Sequence, residues 1–93
     1  MRIFQSRSFE RKIKKLSKSE KKILDEQVKK IAENPSMGVE KKGDLQGVFI
    51  YKLKIKSVQY LLAYRLKHNG LELIMIGPHE NYYRNLKSYL KNK

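Results

Sequence analysis

The sequence predicts an α+β domain, and a change of period carries the prediction. Up to Asn34 apolar residues recur at helical spacing, which gives a helix one buried face. From Tyr51 to Ile76 they recur at alternate positions, as in half-buried strands. Pro35 separates the two regimes, because the residue before a proline is pushed out of helical space. Helices grouped ahead of a run of strands argue for a helical layer packed on one face of an antiparallel sheet.

Met1–Gln5, apolar at Ile3 and Phe4, is expected to open the chain as a strand. Ser6 to about Leu16 carries Phe9, Ile13 and Leu16 at i, i+4 and i+7 in an otherwise basic segment, a short helix. Ser17 has Glu20 three residues on, the capping-box pattern, and Ile23, Leu24, Val28 and Ile31 continue a stripe to about Asn34. Helices joined so closely form an antiparallel hairpin. Ser36–Asp44, with Gly38, Gly43 and mixed charges, reads as a surface loop.

Three strands follow as an antiparallel meander. Tyr51, Leu53 and Ile55 alternate with Lys52, Lys54 and Lys56, a half-buried strand with a lysine face. Val58–Lys67 is the second, with Tyr60, Leu62, Tyr64 and Leu66 on one side. His68-Asn69-Gly70 is expected to turn the chain, since Asn-Gly accepts the positive φ of hairpin turns. Leu71–Ile76 is mostly apolar on both faces and therefore central or covered. Gly77-Pro78 ends it, and Tyr82, Leu86, Tyr89 and Leu90 place a short C-terminal helix from Glu80 to about Lys91.

The 93 residues, 1–93, are expected to form a single domain with one modest core. Twenty-two Lys+Arg against nine Asp+Glu give a formal charge of +13, which attracts polyanions: nucleic acid, an acidic protein or an anionic surface. The absence of cysteine excludes disulfides, thiolate catalysis and Cys-based zinc sites, and two histidines are too few for a His-rich metal centre. No apolar run reaches the roughly 18 residues of a membrane span. A soluble cytoplasmic protein without a membrane partner is the expectation.

Leu45–Leu71 holds Lys52, Lys54, Lys56, Arg65 and Lys67 without a single carboxylate. The three lysines of the first strand fall on one face, and Arg65 and Lys67 share parity with Leu61 and Ala63, opposite the tyrosines. With the tyrosine side toward the helices, both basic sets project from the other face as a cationic surface. The plainer alternative is a solvated lysine face that guards an edge strand against aggregation. His79 stands past the last strand, and imidazole is the side chain suited to proton transfer near neutrality. A capping or loop histidine is the plainer alternative there. Tyr82 and Tyr83, adjacent on a helix, cannot both face the core. Tyr82 shares the stripe of Leu86 and Tyr89, leaving Tyr83 to stack on a base or to place its hydroxyl near a phosphate.

The segments Tyr51-Lys-Leu-Lys-Ile-Lys, Tyr60-Leu-Leu-Ala-Tyr-Arg and Ile76-Gly-Pro-His-Glu-Asn-Tyr-Tyr resemble the RelE/ParE superfamily of toxins from bacterial type II toxin–antitoxin systems. The Asn34-Pro35 stop and the Leu45-Gln-Gly-Val motif before the lysine strand extend the likeness along nearly the whole chain. The resemblance implies a RelE-like fold and a toxin that stops translation as a ribosome-dependent mRNA endonuclease. ParE-like members of the same superfamily instead poison DNA gyrase without nuclease activity, which is the alternative. Carried over by position, Lys52 and Lys54 match the lysines of the active-site strand. His79 matches a position of histidine or arginine, and Tyr83 or Tyr82 the C-terminal tyrosine. Leu61 falls where many relatives keep an arginine, so Arg65, of the same parity, is the expected phosphate ligand, with Lys56, Lys67 and Tyr82 as further substrate contacts. RNA brings its own nucleophile, the 2′-hydroxyl, so no metal or cofactor is implied. The implied partners are the ribosome, mRNA and a cognate acidic antitoxin lying over the hairpin Ser6–Asn34.

Overall fold

The computed structural model describes residues 2–91. Strand β1 (Arg2–Gln5) leads into helices α1 (Arg7–Ile13) and α2 (Lys18–Glu33). A two-residue strand, β2 (Val39–Glu40), precedes the meander β3 (Phe49–Ile55), β4 (Val58–Lys67) and β5 (Gly70–Gly77), and α3 (Tyr82–Lys91) follows. The five strands make one sheet in the order β1-β5-β4-β3-β2. β1 runs parallel to β5, and all other neighbours are antiparallel.

The predicted meander is the centre of this sheet, and the helical hairpin covers one face. Phe9, Leu24, Val28 and Ile31 of the helices bury against Leu53, Ile55, Leu62, Tyr64, Leu71 and Leu73. The tyrosine side of β3 and β4, including Tyr51 and Tyr60, therefore faces the helices. On the other face α3 packs Tyr82 and Leu86 onto Ile50, Leu61, Ala63, Ile74 and Met75. β5, covered on both sides, is buried along all 8 residues.

Local chemistry fixes the helix starts. The Ser6 hydroxyl accepts the Phe9 N–H at 3.0 Å and donates to the Ile74 carbonyl at 2.5 Å, so one side chain caps α1 and ties it to the sheet. At α2, Ser17 and Glu20 exchange the two bonds of a capping box. The bond from the Ser17 N–H is the main cause holding the Glu20 carboxyl below its ordinary pKa. Asn34 terminates α2 with φ −144°, outside helical space as Pro35 demands.

Three expectations need correction. The stretch Ser36–Asp44 is not wholly a loop, because Val39 and Glu40 pair with Ile50 and Phe49 as an edge strand. Two residues are too few for alternation to show. Lys56 does not continue the lysine face of β3. With Ser57 it forms the β3–β4 turn at φ 48° and 76°, since Ile55 already pairs with Val58. The β4–β5 turn takes its positive φ at His68 and Asn69, not at Gly70. Gly70 pairs with Arg2, and an added Cβ there would lie 2.8 Å from the Arg2 carbonyl and 2.5 Å from the Phe4 ring. Its missing side chain makes room for β1.

Candidate functional site

One row of the sheet organises the site. Lys52 pairs with Leu61, and Leu61 pairs on its other side with Gly77. With neighbouring strands about 4.8 Å apart, Lys52 and Gly77 stand about 10 Å from each other across the buried Leu61. Lys54 lies one alternation further, opposite Gln59, at the end of the sheet. Both lysines are exposed and share parity with Ile50, which places them on the α3 face. Beyond Gly77 the chain turns through Pro78 and the exposed His79 into α3 at that same end.

The aromatic cluster on α3 joins this row. Tyr83, half-buried against the core of that face, meets His79 edge-on at 6.1 Å between ring centroids and Tyr82 edge-on at 5.7 Å. The Lys41 ammonium stands 5.2 Å from the centroid of the Tyr83 ring. A cleft of about 360 Å³ beside the end of β5 is lined by Gly77, Pro78, Glu80, Asn81 and Asn85, with Lys12 of α1 at its rim; Lys52, Lys54, His79 and Tyr83 stand outside it. The result is an open, cationic corner with one imidazole and one accessible aromatic ring. Such a corner suits a phosphodiester with a neighbouring base.

The family model of the ParE-like toxin of type II bacterial toxin–antitoxin systems matches residues 3–87. The chain belongs to that family. Three solved structures share the fold of this toxin. The toxin chain matched in the intact E. coli RelBE toxin–antitoxin complex is 19% identical at TM-score 0.66, over 84% of this chain and 95% of that one. A double arginine-to-alanine mutant of E. coli RelE in the free state is 16% identical at TM-score 0.73, over 96% and 94% of the two chains. The isolated E. coli RelE toxin is 16% identical at TM-score 0.65, over 98% and 97%. Comparison with curated proteins found no matching relative.

Within the toxin, the residues singled out from sequence divide into two groups. Lys52, Lys54, His79 and Tyr83 gather at one end of the α3 face. Arg65 and Lys67 have the expected parity but lie at the other end of the sheet. Arg65 pairs with Glu72 and is four residues along β4 from Leu61, about 13 Å at strand rise. Its Nε donates to the Glu72 carboxylate at 2.6 Å, so its charge is already matched. Arg65 therefore does not take the place of the arginine that Leu61 lacks, and Leu61 itself is 0% exposed. Lys67 is exposed beside His68 at the far turn.

Tyr82 is also displaced from the role of substrate contact. It is 2% exposed, and its hydroxyl donates to the Met75 carbonyl at 2.7 Å. Burial drives its pKa far above the ordinary tyrosine value, so the hydroxyl stays a neutral donor. The contact of Lys41 with the Tyr83 ring is one that the sequence alone did not show. The one signal was the place of Lys41 just before the Leu45-Gln-Gly-Val motif, hidden in a stretch without a period.

Proposed function

We propose that this toxin is a metal-independent endoribonuclease that cleaves mRNA on the ribosome and so inhibits translation. The observation that carries the reading is the convergence of Lys52, Lys54, His79 and Tyr83 on one end of the α3 face. A protein that only grips another protein has no need of an imidazole ordered against a ring at the sheet end that carries two exposed lysines. In the proposed reaction the 2′-hydroxyl attacks the adjacent phosphorus and passes its proton to His79. The bond from phosphorus to the 5′-oxygen breaks, leaving a 2′,3′-cyclic phosphate on one fragment, and the departing 5′-oxygen takes a proton from solvent water. Lys52 and Lys54 stabilise the charge that grows on the phosphate oxygens, where preorganised cations act most strongly. Tyr83 stacks on a flanking base, and the exposed Lys56 and Lys67 meet the RNA backbone away from the scissile bond. The remaining positive charge orients the domain on ribosomal RNA without reading sequence.

A cognate acidic antitoxin is the partner that silences it. The groove between β1, α1 and α2, about 450 Å³ and lined by Ile3, Phe9, Ile13, Leu24 and Val28 with Lys21, Asp25 and Lys29 beside them, is the surface proposed for it. An extended acidic segment with apolar anchors matches such a groove in charge and polarity. Among the described residues no helix is long and apolar enough to cross a membrane. We place the action of the toxin in the cytoplasm, where ribosomes are.

The test is cleavage of mRNA on programmed ribosomes by the parent chain and by His79→Ala. The parent should cut and the variant should lose cutting by about 100-fold or more, the scale of general acid–base catalysis. Intact mRNA with the parent, together with arrest of DNA replication ahead of translation, would overturn the reading in favour of a gyrase poison.

A further inference from the structure

Lys41 is held in place by its backbone. Its N–H donates to the Val48 carbonyl at 2.8 Å, one step past the pairs Val39↔Ile50 and Glu40↔Phe49. The turn before it is fixed by Tyr64, whose hydroxyl donates to the Pro35 carbonyl at 2.6 Å and accepts the Gly38 N–H at 2.9 Å. From that anchored edge the half-buried Lys41 side chain crosses to α3 and sets its ammonium 5.2 Å from the Tyr83 ring centroid. Among the described residues no carboxylate lies within ion-pair distance of this ammonium. A cation within about 6 Å of a ring face is attracted by its quadrupole.

The ring so engaged is the one that meets His79. Tyr82, fixed in the core, contacts Tyr83 edge-on, and Lys41 adds the second restraint. We infer that Lys41 is a positioning residue for RNA cleavage: through Tyr83 it fixes the ring against which the His79 imidazole is oriented. The inference rests on the ribonuclease reading above. It makes the 35–48 segment a working part of the site, joining the β2 edge to the strand end where Lys52 and His79 stand.

Single-turnover cleavage on programmed ribosomes tests it, with Lys41→Met, Lys41→Arg, Tyr83→Leu and the Lys41→Met/Tyr83→Leu double variant of the full chain. Lys41→Met keeps the apolar stem and removes the charge. It should lower the maximal rate about 3- to 30-fold while leaving the half-saturating ribosome concentration unchanged. Lys41→Arg should restore the rate, since a guanidinium holds a ring in the same way. In the Tyr83→Leu background Lys41→Met should change nothing further, because the group through which it acts is gone. Unimpaired cleavage by Lys41→Met, additive losses in the double variant, or a loss confined to half-saturation would each overturn the inference; the last two point to direct phosphate contact. A parent chain that leaves mRNA intact overturns both readings, whereas an active parent with an uncoupled pair overturns this one alone.

Discussion

The rings of His79 and Tyr83 meet edge to face, with centroids 6.1 Å apart and planes at 82°. This contact joins the loop after β5 to the first turn of α3, so the imidazole is oriented by a side chain from a different element. The ring of Tyr83, rather than its hydroxyl, makes the contact. Tyr83→Phe should therefore cleave mRNA within a few-fold of the parent. Tyr83→Leu should lose roughly 5- to 150-fold, the range expected when one base–aromatic stack is removed. Single-turnover rates on programmed ribosomes decide it, and equal losses in both variants would move the function to the hydroxyl.

Arg65 and Lys52 share a face and differ in surroundings. Arg65→Ala removes the 2.6 Å partner of the Glu72 carboxylate, which is largely buried. The cost should be about 1–3 kcal/mol of stability, with cleavage kept in the folded fraction. In a domain of this size that lowers Tm by several degrees. Lys52→Ala should do the reverse: a Tm near the parent's and cleavage down by 10-fold or more. If Arg65→Ala instead abolishes cleavage at unchanged Tm, the ion pair opens on RNA and Arg65 belongs with Lys52 among the substrate ligands.

The helical hairpin, its caps and the meander were legible in the sequence because each is dictated by local signals. The apolar stripes, Ser17 with Glu20, the Asn34-Pro35 stop and alternation from Tyr51 to Ile76 all act over a few residues. What was not legible depends on neighbours distant in sequence. β1 pairs with β5 across almost seventy positions, as Arg2↔Gly70 shows, and no periodicity within Met1–Gln5 announces it. The same holds at the site. Parity placed Arg65 on the same face as Lys52, but only the strand register shows that it lies at the opposite end of that face from Lys52 and Gly77. Lys41 escaped because its role is a contact with Tyr83, some forty residues away.

The β3–β4 turn offers a gain of stability. Lys56 and Ser57 adopt φ 48° and 76°, a pair of left-handed residues in a two-residue hairpin turn, for which Asn-Gly is better suited. The double variant Lys56→Asn/Ser57→Gly should be more stable by about 0.5–1 kcal/mol, read from urea unfolding midpoints at constant slope. It also removes a lysine from the turn just beyond Lys54. Cleavage should fall by no more than a few-fold if Lys56 meets only the RNA backbone, and a 100-fold loss would return it to the active strand.

Tyr82 makes the protein sensitive to alkali in a way that one variant isolates. Burial raises its pKa above the ordinary tyrosine value of about 10, and Tyr64 is raised for the same reason. For a group raised on folding, the native state holds its proton longer than the unfolded chain. The contribution to stability is then complete below about pH 10 and is lost as pH rises above it. At pH 7 to 9, Tyr82→Phe should be less stable than the parent by about 1 kcal/mol, because the Met75 carbonyl loses its 2.7 Å donor. Above pH 10 the parent should lose about 1.4 kcal/mol per pH unit relative to the variant, since phenylalanine has no proton to give up. The two stability curves should therefore converge and cross near pH 11. Changes in lysine charge at that pH act on both proteins and cancel in the difference. Urea unfolding of parent and variant from pH 7 to 11.5 measures this difference directly. A gap that stays constant across the range would mean that the Tyr82 hydroxyl ionises as freely in the fold as in the unfolded chain, against its burial between α3 and the sheet.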